Sequence, residues 1–133
     1  MLRTTLGLAA LVPAVLVVAA CGAASTPAPA ATRAPGGSGP DFTVTAKGIA
    51  YDGLAIQMEA DKGFSIHFRN DDPSTVPHDI DIRDSGDRII QDKPTIEGGR
   101  DVIYDFTGLP AGTYKFECSI HPIPAMTGTL TVK

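Results

Sequence analysis

From residue 41 onward apolar and polar side chains alternate with a period of two, and no long window carries a helical stripe. The pattern predicts short strands, each with one face turned inward. Phe64, Ile66 and Phe68 share one face of a strand, while Ser65, His67 and Arg69 share the other. The first row is the core face, and His67 is a surface residue among polar neighbours. His78, Ile80 and Ile82 form the inward row of the next strand, opposite Asp79, Asp81 and Arg83. Tyr114, Phe116 and Cys118 alternate with Thr113, Lys115 and Glu117, so Cys118 closes an apolar row as His78 opens one. Strands are expected at 42–47, 54–58, 63–69, 78–83, 101–107, 112–118 and 127–132. Residues 84–100, rich in aspartate and glycine, show no clear period, and Ile89, Ile90 and Ile96 supply either a short strand or an irregular flap. Met58 reads as core or sheet surface.

The stretch Leu109-Pro110-Ala111-Gly112-Thr113-Tyr114 resembles a tyrosine corner, in which a tyrosine early in a late strand bonds back to a nearby backbone group. Strands about ten residues apart together with such a corner predict an all-β Greek-key β-sandwich of about seven to eight strands.

The first forty residues follow a different pattern. Arg3 is followed by an apolar run from Leu6 to Ala20, broken only by Gly7 and Pro13. This is the pattern of an export signal, and it falls short of the roughly 20 apolar residues a spanning helix needs. It ends in Val18-Ala19-Ala20-Cys21, which resembles the bacterial lipobox. That resemblance implies cleavage of a signal peptide over 1–20 and lipidation of Cys21 as the mature first residue. The rest of 21–40 is almost entirely Ala, Ser, Thr, Pro and Gly, with Arg33 its only charge. It cannot build a core and reads as a flexible linker with a reach of roughly 25 Å. The folded domain is expected over 41–133, lipid-anchored on the extracytoplasmic side of the cell membrane.

Charge narrows the partners. The chain of 133 residues has a formal net charge of −4, which argues against nucleic acid, since phosphate binding needs a basic surface. Its two cysteines, Cys21 and Cys118, are each explained by their own surroundings, so a disulfide between them is not expected.

The segment from Cys118 to Met126 places one thiol, the His121 imidazole and one thioether on a single loop, with His78 forty residues upstream. Thiolate and thioether are soft ligands that favour Cu(I), and imidazole serves both Cu(I) and Cu(II). Zinc is the lesser candidate, because structural zinc takes four cysteine and histidine ligands. Met126 and Cys118 also pack readily as hydrophobes, so a purely structural reading stands beside the metal one.

Val76-Pro77-His78-Asp79-Ile80 followed by a C-x2-H-x4-M loop resembles the plastocyanin and amicyanin branch of the cupredoxins, the blue copper proteins. The likeness covers essentially all of 41–133. It implies one copper ion cycling between Cu(I) and Cu(II), held equatorially by His78, Cys118 and His121 and axially by Met126. It also implies an electron carrier serving transient redox partners of the cytochrome or oxidase/dehydrogenase type, most simply as a monomer. The alternative is an extracytoplasmic protein for copper storage, delivery or tolerance. An enzyme is not expected, because four protein ligands leave no open position for substrate. Asp79 departs from the asparagine usual after the first histidine. If its backbone N–H bonds the cysteine sulfur the exchange is tolerable; if its side chain approaches, the added charge lowers the reduction potential. Pro122 and Pro124 also depart from the family pattern and stiffen the loop.

Overall fold

The structure is a computed structural model that describes residues 39–133. The leader, Cys21 and most of the linker lie outside the described residues; Cys118 is a free, buried thiol. Eight strands follow one another: β1 (Phe42–Ala46), β2 (Ala55–Met58), β3 (Phe64–Asn70), β4 (Asp81–Arg83), β5 (Ile89–Gln91), β6 (Arg100–Phe106), β7 (Gly112–Glu117) and β8 (Thr127–Val132). They form two sheets, ordered β1-β3-β6 and β2-β8-β7-β4-β5, which is the expected Greek-key sandwich. β1 runs parallel to β3 and β2 to β8, while the other neighbours are antiparallel. A parallel pair needs a crossover, and here β2, in the opposite sheet, lies between β1 and β3 in the chain.

Alternation predicts the core well. Val44, Ile66, Phe68, Ile80, Ile82, Phe116 and Leu130 have no measurable exposure and fill the space between the sheets. Phe68 stacks on Tyr104 and Phe116 on Tyr51, with ring centroids 5.7 and 6.0 Å apart. Each such side chain contributes roughly 1.5–3 kcal/mol by leaving water. Phe116 faces Gly128 across the β7–β8 ladder, where a Cβ would lie 2.0 Å from its ring, so only glycine fits. Met58 is half-buried against the core. The Tyr114 hydroxyl donates to the Pro110 carbonyl at 3.0 Å, completing the corner.

The strand expected over 78–83 is shorter. Pro77 has no N–H for a ladder, and His78 is instead held by an isolated bridge to Ile96, with reciprocal N–H···O bonds of 3.0 and 2.8 Å. The row Asp79, Asp81, Glu117 was expected to face water but is buried. The Lys93 N–H caps Asp81, whose carboxyl is pushed up by burial. Glu117 lies 3.7 Å from the Arg83 guanidinium. In the ambiguous stretch, Ile89 and Ile90 enter β5 at the edge of the larger sheet and stay exposed, while Ile96 turns inward to bridge His78. His67 does lie on the outer face, where its Nε2 is 2.8 Å from Asp101.

Candidate metal centre

Three segments converge at one end of the sandwich. β7 ends at Glu117 and delivers Cys118; the following loop turns back through the 3-10 turn Pro124–Met126 into β8 and carries His121. The Ile96 bridge brings His78 to the same point. The loop is closed by the Cys118 N–H donating to the Met126 carbonyl at 3.1 Å and the Met126 N–H donating to Ile123 at 2.9 Å. The Tyr51 N–H ties it to β1's side of the molecule through the Ala125 carbonyl, at 2.8 Å.

The donor atoms of His78, Cys118 and His121 all lie within 4.8 Å of one another. Cys118 Sγ is 3.6 Å from His78 Nδ1 and 3.8 Å from His121 Nδ1, and the two Nδ1 atoms are 3.2 Å apart. A point equidistant from three such atoms lies about 2.1 Å from each, the length of a metal–imidazole bond and slightly short of a metal–thiolate bond. Two imidazoles and one thiol at that spacing suit copper, whose two oxidation states both accept the set. Met126 is fully buried at the close of the same loop, among the core residues. His78 and Cys118 are also fully buried, whereas His121 is only partly so.

Burial pushes the Cys118 thiol above its ordinary range, an effect that nearby backbone N–H groups oppose and the charge of Asp79 reinforces. Asp79 stands beside the thiol, and its negative charge disfavours the thiolate. Its carboxylate accepts from the N–H and hydroxyl of Ser119, next to Cys118 in the chain, at 2.7 and 2.5 Å. The Tyr51 hydroxyl donates to the Asp79 carbonyl.

One residue of the site has no signal in the sequence. Asp72 places Oδ2 2.9 Å from His78 Nε2 and accepts from the N–H groups of Gly48 and Ile49. Burial would push its carboxyl up, but the Ile49 and Gly48 N–H groups and His78 hold it below the usual carboxylate range. An aspartate six residues before a histidine is commonplace, and its partners at 48 and 49 belong to a remote turn.

A two-sheet sandwich with a cysteine–histidine cluster at one end is the arrangement of a β-domain that could hold a metal ion there. The sequence matches the cupredoxin-like domain over residues 13–132, and the chain belongs to that family. No curated protein sequence matches it. Among solved structures it is similar to reduced auracyanin from the photosynthetic bacterium Roseiflexus castenholzii, with 20% identity and a TM-score of 0.60 over 79% of this chain and 99% of that one. Auracyanin A, a "blue" copper protein from Chloroflexus aurantiacus, is 21% identical with a TM-score of 0.57, covering 71% of this chain and 100% of its own. A purple cupredoxin from Nitrosopumilus maritimus is 27% identical with a TM-score of 0.50, covering 70% of this chain and all of its own.

Proposed function

We propose that this chain is a mononuclear type 1 copper protein that carries electrons at the outer face of a membrane. Its equatorial ligands are His78, Cys118 and His121, and its axial ligand is Met126. The observation that carries the reading is the convergence of two imidazole nitrogens and one thiol within 4.8 Å, in a family of cupredoxin-like domains. Bound copper supplies a one-electron couple between Cu(I) and Cu(II). The chain supplies a rigid set of donors: a buried bridge holds His78, and a loop pinned by Pro122, Pro124 and the Cys118–Met126 backbone bond holds the others. With four protein ligands no position is open for a substrate, so the role is transfer rather than catalysis.

His121 is the more exposed histidine, and Ile120 and Ile123, each 43% exposed, flank it with Pro122 and Pro124. That apolar rim suits brief docking of a redox partner of the cytochrome or oxidase/dehydrogenase type. A carrier must keep its ion through redox cycles, whereas a protein for copper storage, delivery or tolerance must give it up. Cycling the purified copper protein at an electrode, beside a chelator of intermediate affinity, is expected to give sustained current with copper retained. Loss of the ion within a few turnovers would replace the carrier by the delivery reading.

The lipobox-like Val18-Ala19-Ala20-Cys21 supports a lipid anchor for the carrier at Cys21, with 21–40 as its tether. Cys21→Ser is expected to move most of the protein from the membrane fraction to the soluble fraction. A variant as firmly membrane-bound as the wild type would rule out the lipid anchor.

A further inference from the structure

We propose that Asp72 is a positioning residue for the metal centre: it fixes His78 as the Nε2–H tautomer and ties that imidazole to the turn at Gly48 and Ile49. The first readout below needs no metal; only the second rests on the copper reading.

A fully buried imidazole has two nitrogens to satisfy, and here they face different chemistry. Nδ1 points at Cys118 and His121, at 3.6 and 3.2 Å, while Nε2 lies 2.9 Å from Asp72 Oδ2. An ionised carboxylate only accepts hydrogen bonds, so Nε2 carries the proton and a neutral ring leaves its lone pair on Nδ1, toward the cluster. The carboxylate thus selects the tautomer that can bind a metal from the observed side.

Asp72 can do this because it is held on both oxygens. Oδ1 accepts from the Gly48 N–H at 2.5 Å and Oδ2 from the Ile49 N–H at 3.0 Å. Gly48 and Ile49 both have positive φ, 64° and 54°, so two consecutive amides converge on one anion. The left-handed conformation is costly for a β-branched residue such as Ile49, and the carboxylate contact offsets that cost. Asn70 braces the other side. Its Oδ1 accepts from the Asp72 N–H at 3.1 Å, and its Nδ2 donates to Val76 and to Ile96, the bridge partner of His78. Asp72 therefore links the turn at residues 47–50 to a histidine thirty residues later in the chain. A negative partner on the distal nitrogen also raises the donor strength of Nδ1, which favours the more highly charged copper ion.

Asp72→Asn and Asp72→Ala test this, with Asp71→Asn as control. Asp71 is an exposed neighbour paired with Arg69, so its variant changes the same charge one residue away. Nitrogen-15 spectra of the metal-free full chain are expected to show His78 protonated at Nε2 in the wild type and in Asp71→Asn. In Asp72→Asn the Nδ1–H form should appear, because the amide can donate to Nε2. In the copper-loaded protein, the preference for Cu(II) over Cu(I) should fall about tenfold in Asp72→Asn, a rise of about 59 mV in potential. Wild-type backbone shifts in β3 and β7 would show that the fold is kept. An unchanged tautomer in both folded variants, or Nδ1–H already in the wild type, would overturn the proposal. If the tautomer shifts but the wild type binds no copper, the copper reading fails while Asp72 keeps its role. Should Asp72→Ala not fold, Asp72→Leu, which keeps the side-chain volume and offers no acceptor, takes its place beside Asp72→Asn.

Discussion

Cys118→Ser is expected to abolish the intense visible absorption of the oxidised copper protein altogether. That absorption requires a thiolate bonded to Cu(II), and Cys118 is the only described residue that supplies a thiol. Its sulfur lies 3.6 and 3.8 Å from the two histidine Nδ1 atoms. A serine hydroxyl is smaller, harder and almost wholly protonated at neutral pH, so the donor set loses its covalent member. The fold should survive, since the substitution is close to isosteric and the Cys118 N–H still bonds the Met126 carbonyl. Met126→Leu is the contrast: the band should remain and the reduction potential rise, because an axial thioether contributes weakly. Visible spectra and voltammetry of the two variants beside the wild type make the check. Full colour in Cys118→Ser would refute the ligand assignment, and complete loss of copper in Met126→Leu would mean that the axial bond is stronger than assigned.

Gly128→Ala should cost the domain about 1–3 kcal/mol or more, out of the roughly 5–15 kcal/mol that keeps a domain folded. The added Cβ would lie 2.0 Å from the ring of Phe116. That ring cannot swing away, because it is fully buried and packs on Tyr51. Gly39→Ala, where a Cβ meets nothing within 4 Å, should be nearly neutral. Denaturant unfolding of the metal-free variants measures the difference. Phe116→Leu should make Gly128→Ala less harmful, because the smaller side chain leaves room, so the double variant should be more stable than the sum of its parts. Strict additivity would place the strain elsewhere. Phe116 lies two residues before Cys118, so the same clash should also disturb the metal centre.

The local features were legible in the sequence. Cys118, His121 and Met126 fall within nine residues of one loop, and the Tyr114–Pro110 bond spans only four, so short-range geometry constrains both. The core rows of β3 and β7 were legible as well, because a strand must turn alternate side chains to opposite faces. Alternation says which side a residue takes and nothing about what covers that side. Asp79, Asp81 and Glu117 were therefore expected in water, yet Ser119, the Lys93 amide and Arg83 cover them. His78 was expected at the start of a strand, but Pro77 denies it a ladder and Ile96, from a stretch with no readable period, holds it instead. Which way the Asp79 carboxylate turns, and that Asp72 reaches His78, depend on segments brought together only by packing. Thus the sequence by itself determined the fold class, the inward rows and the candidate donors. The tertiary structure alone decided the order of strands, the burial of the acidic row and the partners that orient the donors, because those contacts join residues whose separation in the chain carries no periodic signal.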